Sequence, residues 1–184
     1  MHGLIHLELQ KFVEERFGAR AWSTLTHRTG LASEIYTPLR SYPDEQMLAL
    51  VGEAVSMSGK SANALLEEFG EFLVPTYLSL YGNLLKPEWR TLEVIEHTDE
   101  TIHRVVRLRH EGAAPPRLKA ERTGPNEVVL TYDSPRRLCA VARGIGRGVA
   151  KKFQEMLTIQ ERRCMHRGDP ACIIVFRRES YRGR

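Results

Sequence analysis

Tyr132, Ser134 and Arg136 place two hydroxyls and a guanidinium at alternate positions of one five-residue stretch, Tyr-Asp-Ser-Pro-Arg. The residues leading into it, Glu127 to Tyr132, carry a strand pattern. Ser134 followed by Pro135 has the form of an N-cap and a first helical residue. The stretch is therefore expected to turn a strand into a helix, with Arg136 in the helix's first turn. Polar tips converging at such a corner, beside free helix N–H groups, suit anionic oxygens through charge-assisted and bidentate hydrogen bonds. An ordinary capped turn with a solvated arginine accounts for the same five residues.

A second candidate group lies upstream. Trp89 to His110 reads as one helix, with Leu92, Ile95, Ile102 and Val106 as an apolar stripe and Asp99 in register. His103 borders that stripe. A histidine in such a place is more often packed and hydrogen-bonded than a metal ligand. His110 falls on nearly the same face and competes as a ligand, while His97 points elsewhere. His110 also sits by Gly112 at the helix end, where the helix dipole favours a charged histidine. A Pro-Pro turn, Pro115-Pro116, follows.

Taken together, His103, Pro116 and the Tyr-x-Ser-x-Arg stretch, with the opening Met-His-Gly-Leu-Ile, resemble the haem–nitric oxide/oxygen binding domain. This is the sensory domain of soluble guanylate cyclase and of stand-alone bacterial proteins, and the resemblance covers essentially the whole chain. It implies haem b as cofactor, with His103 as axial iron ligand and Tyr132, Ser134 and Arg136 holding the propionates. It implies Pro116 pressing on the porphyrin. Ile5 would lie over the distal face, with Val141 and Ile145 on the long helix that covers that face. It further implies an α+β fold, a single sensor domain over 1–184. A helical N-terminal lobe, about 1–62, would pack on a C-terminal lobe, 63–184, with an antiparallel sheet and long helices, and the haem between them.

In oxygen-binding relatives a tyrosine on the helix after the triad donates a hydrogen bond to dioxygen. The matching position, nine residues past Tyr132, is Val141, and Ala140 and Ala142 beside it have no donor either. A missing bond of this kind costs bound O2 about 1–3 kcal/mol, whereas NO binds ferrous iron without it. The expectation is an NO sensor that also takes CO and does not hold O2 stably. Tyr77 and Tyr81, from another segment, could supply a substitute donor. The signal would leave through a separate protein, such as a histidine kinase or a cyclic-nucleotide enzyme.

Cys139, Cys164, Cys172 and His166 form a third group. Some bacterial relatives hold zinc in this region, and three thiolates plus an imidazole would complete a tetrahedral site. Where a fourth cysteine is expected before Cys164 the sequence has Glu161. Three reduced, buried cysteines are the plainer alternative. The second functional reading is a haem-free zinc or thiol redox sensor. An enzyme is not expected: a haem peroxidase would want a distal His–Arg pair, and the long helix offers Arg143 and Arg147 with no histidine.

These groups need elements to position them. Helices are expected over 4–17, 21–28, 44–56 and from Ala62 to about Val74, where Pro75 follows. Gly70 inside the last is read as close packing, with a hinge as the alternative. Tyr77 to Leu85 is apolar enough to line a core or pocket. Arg117 to Arg122 and Glu127 to Thr131 should pair as a hairpin across Thr-Gly-Pro-Asn. A long helix, Pro135 to Leu157, carries Gly144, Gly146 and Gly148, small enough to admit a flat ligand or another helix. A final strand runs from Ile173 to Phe176.

The 184 residues, 42% hydrophobic and 27% charged, suit a folded domain with a sizeable core. The net charge of +4 is mild. Its densest basic cluster, Arg177, Arg178, Arg182 and Arg184, lacks a helix-turn-helix or an aromatic platform, so nucleic-acid binding is not expected. Ser-Gly-Lys-Ser61 lacks the rest of a phosphate-binding loop. No apolar run reaches the roughly 20 residues of a membrane span, and no signal peptide is evident. With three cysteines, an odd number, a cytoplasmic location is expected.

Overall fold

The apolar positions Leu9, Phe12 and Val13 fall on one face of α1 (Gly3–Phe17) and are almost fully buried. They meet α2 (Ala21–Arg28), α3 (Asp44–Ser58) and the first half of α4 (Ala62–Tyr81) in one cluster that includes Leu25, Leu50 and Phe69. The computed structural model describes residues 1–110 and 112–179; Arg182 and Arg184 of the basic tail lie outside the described residues. Ser61 opens α4 by accepting the Ala64 N–H at 3.2 Å. The expected stop at Pro75 does not occur. The helix carries Pro75 within it, exposed, because Leu73 and Val74 beside it are buried in two different clusters. Burial on both sides outweighs the proline's local cost of about 3 kcal/mol.

The expected continuous helix over 89–110 is divided. It comprises α5 (Thr91–His97), one π turn (Asp99–His103) and α6 (Arg104–Arg109). The His103 N–H donates to the Thr98 carbonyl, five residues back, at 3.0 Å. The hydroxyls of Thr98 and Thr101 donate to the carbonyls of Val94 and His97, at 2.6 and 2.5 Å. Threonine hydroxyls that occupy helix carbonyls loosen the regular ladder, and single π turns of this kind gather at functional sites.

Strands β1 (Arg117–Gly124) and β2 (Glu127–Asp133) form the expected hairpin. The sheet is antiparallel throughout, in the order β1-β2-β4-β3, with β4 (Cys172–Arg178) against β2 and β3 (Leu157–Arg163) at the edge. β3 has no counterpart in the sequence reading, which ran the helix to Leu157. The helix α7 (Cys139–Phe153) is shorter than expected at both ends. Gln154 at φ 57 closes it, and the left-handed Arg137, at φ 52, keeps it from starting at Pro135. Ser134 is accordingly not its cap; its Oγ accepts the Arg136 N–H at 3.3 Å and closes a turn.

α4 and α7 pack backbone to backbone. A Cβ on Gly144 would lie 2.0 Å from the Glu67 carbonyl oxygen, and one on Gly70 would lie 2.3 Å from that of Val141. Only glycine permits this approach, as the packing reading of Gly70 required. Gly148 likewise faces Glu71 and Val74 of α4, whereas Gly146 makes room for the Phe176 ring rather than for a helix. Among the described residues no helix is long and apolar enough to cross a membrane.

Candidate functional site

A largely apolar cavity of about 270 Å³ opens where α1, α4, α7, the π turn, α6 and the 112–116 turn meet. Its lining includes Ile5, His103, Pro116, Tyr132, Ser134, Arg136, Val141 and Ile145. All eight residues singled out for a cofactor are thus brought to one cavity, from five separate stretches of chain.

His103 reaches it from the π turn. Its Nδ1 lies 3.2 Å from Asp99 Oδ1, and its side chain is only 16% exposed. Asp99 is steadied in turn by Arg107, whose Nη2 is 3.1 Å from Oδ2. Burial lowers the His103 pKa against the opposing pull of Asp99, and the Pro116 carbonyl also engages the ring. The imidazole is therefore neutral at ordinary pH, with its Nδ1 side anchored. This is the arrangement by which a carboxylate fixes the tautomer of a metal-binding histidine and leaves Nε2 to the metal. The apolar stripe marks Asp99 only as in register; its position four residues before His103 is the signal for this pairing. His110 also lines the cavity, but its ring packs edge-on against His2 with centroids 4.4 Å apart.

At the other edge, Tyr132 and Ser134 are each 3% exposed. Burial pushes the Tyr132 pKa up to about 12, against the opposing pull of the Ser134 side chain and the Leu138 backbone. Arg136 Nη1 donates to the Ala114 carbonyl at 2.5 Å. Its Nε stands 2.8 Å from Asp44 Oδ2, a carboxylate on α3 that the sequence reading missed and that no local pattern marks. Tyr132, Ser134 and Arg136 all line the cavity, although the helix N-terminus expected beside them begins four residues later than the Ser-Pro signal suggested.

The cavity wall from α7 consists of Val141, Ala142, Ile145, Gly146 and Val149, none of which has a side-chain donor. Tyr77 and Tyr81 of α4 also line the cavity, so their hydroxyls are its nearest candidates for donors. Burial raises the pKa of both, Tyr77 further, which keeps them protonated. Arg143 and Arg147 do not line it. They pair with Glu67, at 2.8 Å each, outside the cavity.

The thiols of Cys139, Cys164 and Cys172 gather in the core cluster that also holds Leu130, Tyr132 and Phe176. Cys164 Sγ lies 3.8 Å from Cys139 Sγ and 3.9 Å from Cys172 Sγ. The fourth group within 4.8 Å of these atoms is Glu161. His166, expected as the fourth ligand, is turned away: its Nε2 lies 2.7 Å from the Arg137 carbonyl, at the exposed surface. The short helical turn over 165–167 that follows Cys164 carries the imidazole outward. Burial raises the pKa of Cys139 and Cys172, so in the metal-free cluster they are thiols.

Residues 2–161 match the family described as Haem-NO-binding. An H-NOX protein from S. oneidensis in the Fe(II)NO ligation state superimposes with a TM-score of 0.91 at 23% identity, covering 98% of this chain and 100% of that one. The Fe(II) unliganded H-NOX protein from K. algicida gives 0.86 at 21% identity over the full length of both chains. Soluble guanylate cyclase 89Da of Drosophila melanogaster is 20% identical over 137 residues, 74% of this chain. The chain spans about a fifth of that relative's length, 20%.

Proposed function

Since the chain belongs to the Haem-NO-binding family, we propose that it senses nitric oxide with a ferrous haem b held by His103. The observation that carries this is the anchored, neutral His103 facing a largely apolar cavity whose lining also includes Arg136, Ser134 and Tyr132. The residues fit the group: one imidazole for iron, apolar walls for a flat macrocycle, and cationic and hydroxyl donors for its carboxylates. Ferrous haem supplies an iron whose sixth position is open to small gases. Asp99 orients the imidazole, and Arg136 and Ser134 hold the carboxylate edge. Pro116, in the lining of the same cavity, would press on the macrocycle. The donor-free α7 wall around Val141 and Ile145 favours NO and CO over O2.

Three elements that line one cavity, α1, α4 and α7, also share the N-terminal core or its seam. A shift at His103 therefore reaches surfaces that a second protein can read, a two-state device biased by gas affinity. The likeness to a guanylate cyclase supports a cyclic-nucleotide enzyme as that partner, with a histidine kinase as the other candidate.

The test is His103→Gly. It should lose the protein's iron ligand and regain a haem spectrum when imidazole is added. Loss of the ferrous spectrum in His110→Ala, with His103→Gly unchanged, would overturn the assignment.

A second reading concerns the thiol cluster, which we propose as a structural zinc site with Glu161 as fourth ligand. Tetrahedral sulfur ligands at about 2.3 Å from zinc stand about 3.8 Å apart, and the observed separations are 3.8 and 3.9 Å. The Met165 N–H already donates to Cys172 Sγ at 3.3 Å, as outer contacts to a bound thiolate do. The cysteines are 1%, 4% and 0% exposed. Such burial disfavours the alternative of a haem-free thiol redox sensor, which needs accessible thiolates.

A further inference from the structure

Arg143 is a buried cation wedged into the thiol cluster. It is 8% exposed on α7. Its Nη1 pairs closely with Glu161 Oε1 and lies 3.8 Å from Cys139 Sγ. Its Nε donates to Glu67 Oε1 on α4 at 2.8 Å. The other Glu161 oxygen is 3.3 Å from Arg167 Nη1. The carboxylate that would complete the metal site is therefore already neutralised, by a guanidinium that a divalent cation would repel.

We propose that Arg143 is an internal competitor for the metal site, sharing Glu161 with the incoming cation and so setting the cluster's affinity. This rests on the reading of the cluster as a zinc site. In the metal-free chain Arg143 supplies the positive charge that the half-buried Glu161 needs. When Glu161 turns to a metal, Arg143 keeps Glu67 as its remaining carboxylate. Glu67 also holds Arg147 at 2.8 Å, and its own backbone touches Gly144. The exchange at Glu161 is thereby linked to the α4–α7 seam, and α4 lines the gas cavity with Leu66, Phe69, Leu73 and Tyr77. By reciprocity, whatever strengthens the Arg143–Glu67 pair also favours metal at the cluster.

The test is Zn2+ binding to the reduced full chain, read by competition with a chromophoric chelator. Arg143→Gln should bind Zn2+ roughly tenfold tighter than the wild type, because the competing charge is gone. Arg143→Lys should fall between the two. Adding Glu161→Gln to Arg143→Gln should abolish the gain. Glu67→Gln, which leaves Arg143 its Glu161 partner alone, should weaken binding severalfold and serves equally if Arg143→Gln does not fold. Cys164→Ser is the control for the site itself. Binding by wild type that depends on Cys164, with no tightening in Arg143→Gln and no weakening in Glu67→Gln, overturns the competition while the zinc reading stands. No Cys164-dependent binding in any of these proteins overturns the zinc reading and the competition with it.

Discussion

The Nε of Arg136 stands 2.8 Å from Asp44 Oδ2, and Asp44 Oδ1 receives the Met1 ammonium at 2.6 Å. Burial alone would raise the Asp44 pKa, but hydrogen bonds from Arg136 and the N-terminus outweigh it and hold the carboxyl below its usual range. One ionised side chain on α3 thus positions the arginine of the β2–α7 corner and ties down the first residue of the chain.

Arg136 is thereby held in place before any ligand carboxylate arrives. We expect Arg136→Ala to lose haem faster than Tyr132→Phe. A hydrogen bond to a charged group contributes about 1.5–3 kcal/mol, against about 1 kcal/mol for a neutral one. Haem transfer to an excess of a haem-scavenging globin measures the rates. Equal loss from the two variants would argue against the propionate clamp.

The α7 wall of the cavity has no donor, and Tyr77 is the buried hydroxyl closest in role to the missing one. Reduced protein exposed to air should show no stable oxy spectrum, while NO gives a stable complex. Val141→Tyr should gain roughly tenfold or more in O2 affinity if its hydroxyl reaches the bound gas. Tyr77→Phe should leave the air spectrum unchanged. A stable wild-type oxy complex that Tyr77→Phe destroys would assign the donor to Tyr77 and reverse the expected selectivity.

His6 is 0% exposed, stacked on Tyr36 with ring centroids 4.3 Å apart. Burial lowers its pKa from 6.5 to about 4. A group whose folded-state pKa is depressed stabilises the fold above its unfolded pKa, and the contribution drains as pH falls toward the folded one. The window is therefore about pH 6.5 down to 4, and the total is on the order of 3 kcal/mol. Urea unfolding at pH 7.5 and pH 5 should show a loss of stability that His6→Phe, which keeps the stacked ring, largely removes. An equal loss in both proteins would place the titration elsewhere.

Two glycine substitutions should move stability in opposite directions. Gly144→Ala sets a Cβ 2.0 Å from the Glu67 carbonyl and should cost at least about 1–3 kcal/mol. Gly52→Ala, on the exposed side of α3 with nothing within 4 Å, should add about 0.4–1 kcal/mol. Thermal or denaturant unfolding of the two variants checks both signs.

What the sequence determined by itself was whatever is written locally. Residue types, helical and strand periods and turn chemistry carried the hairpin, α1 to α3 and the closing strand, while the residues that line the cavity were picked out by the resemblance to a family rather than by any local pattern. Where a local signal competed with packing, packing decided. Pro75 and the Ser134-Pro135 pair both carry boundary signals. α4 nonetheless runs through the proline because its buried face spans two clusters, and α7 starts late because Arg137 turns left-handed. The π turn that aims His103 depends on threonine hydroxyls choosing backbone carbonyls, which leaves the hydrophobic period almost unchanged. β3 alternates, but over so short a run, Leu157 to Glu161, that only its pairing with β4 separates it from the end of the helix before it. Asp44 with Arg136, and Glu161 rather than His166 beside the thiols, are contacts between segments distant in sequence. Only the tertiary structure could choose these partners, because a charge carries no record along the chain of which opposite charge it will meet in space.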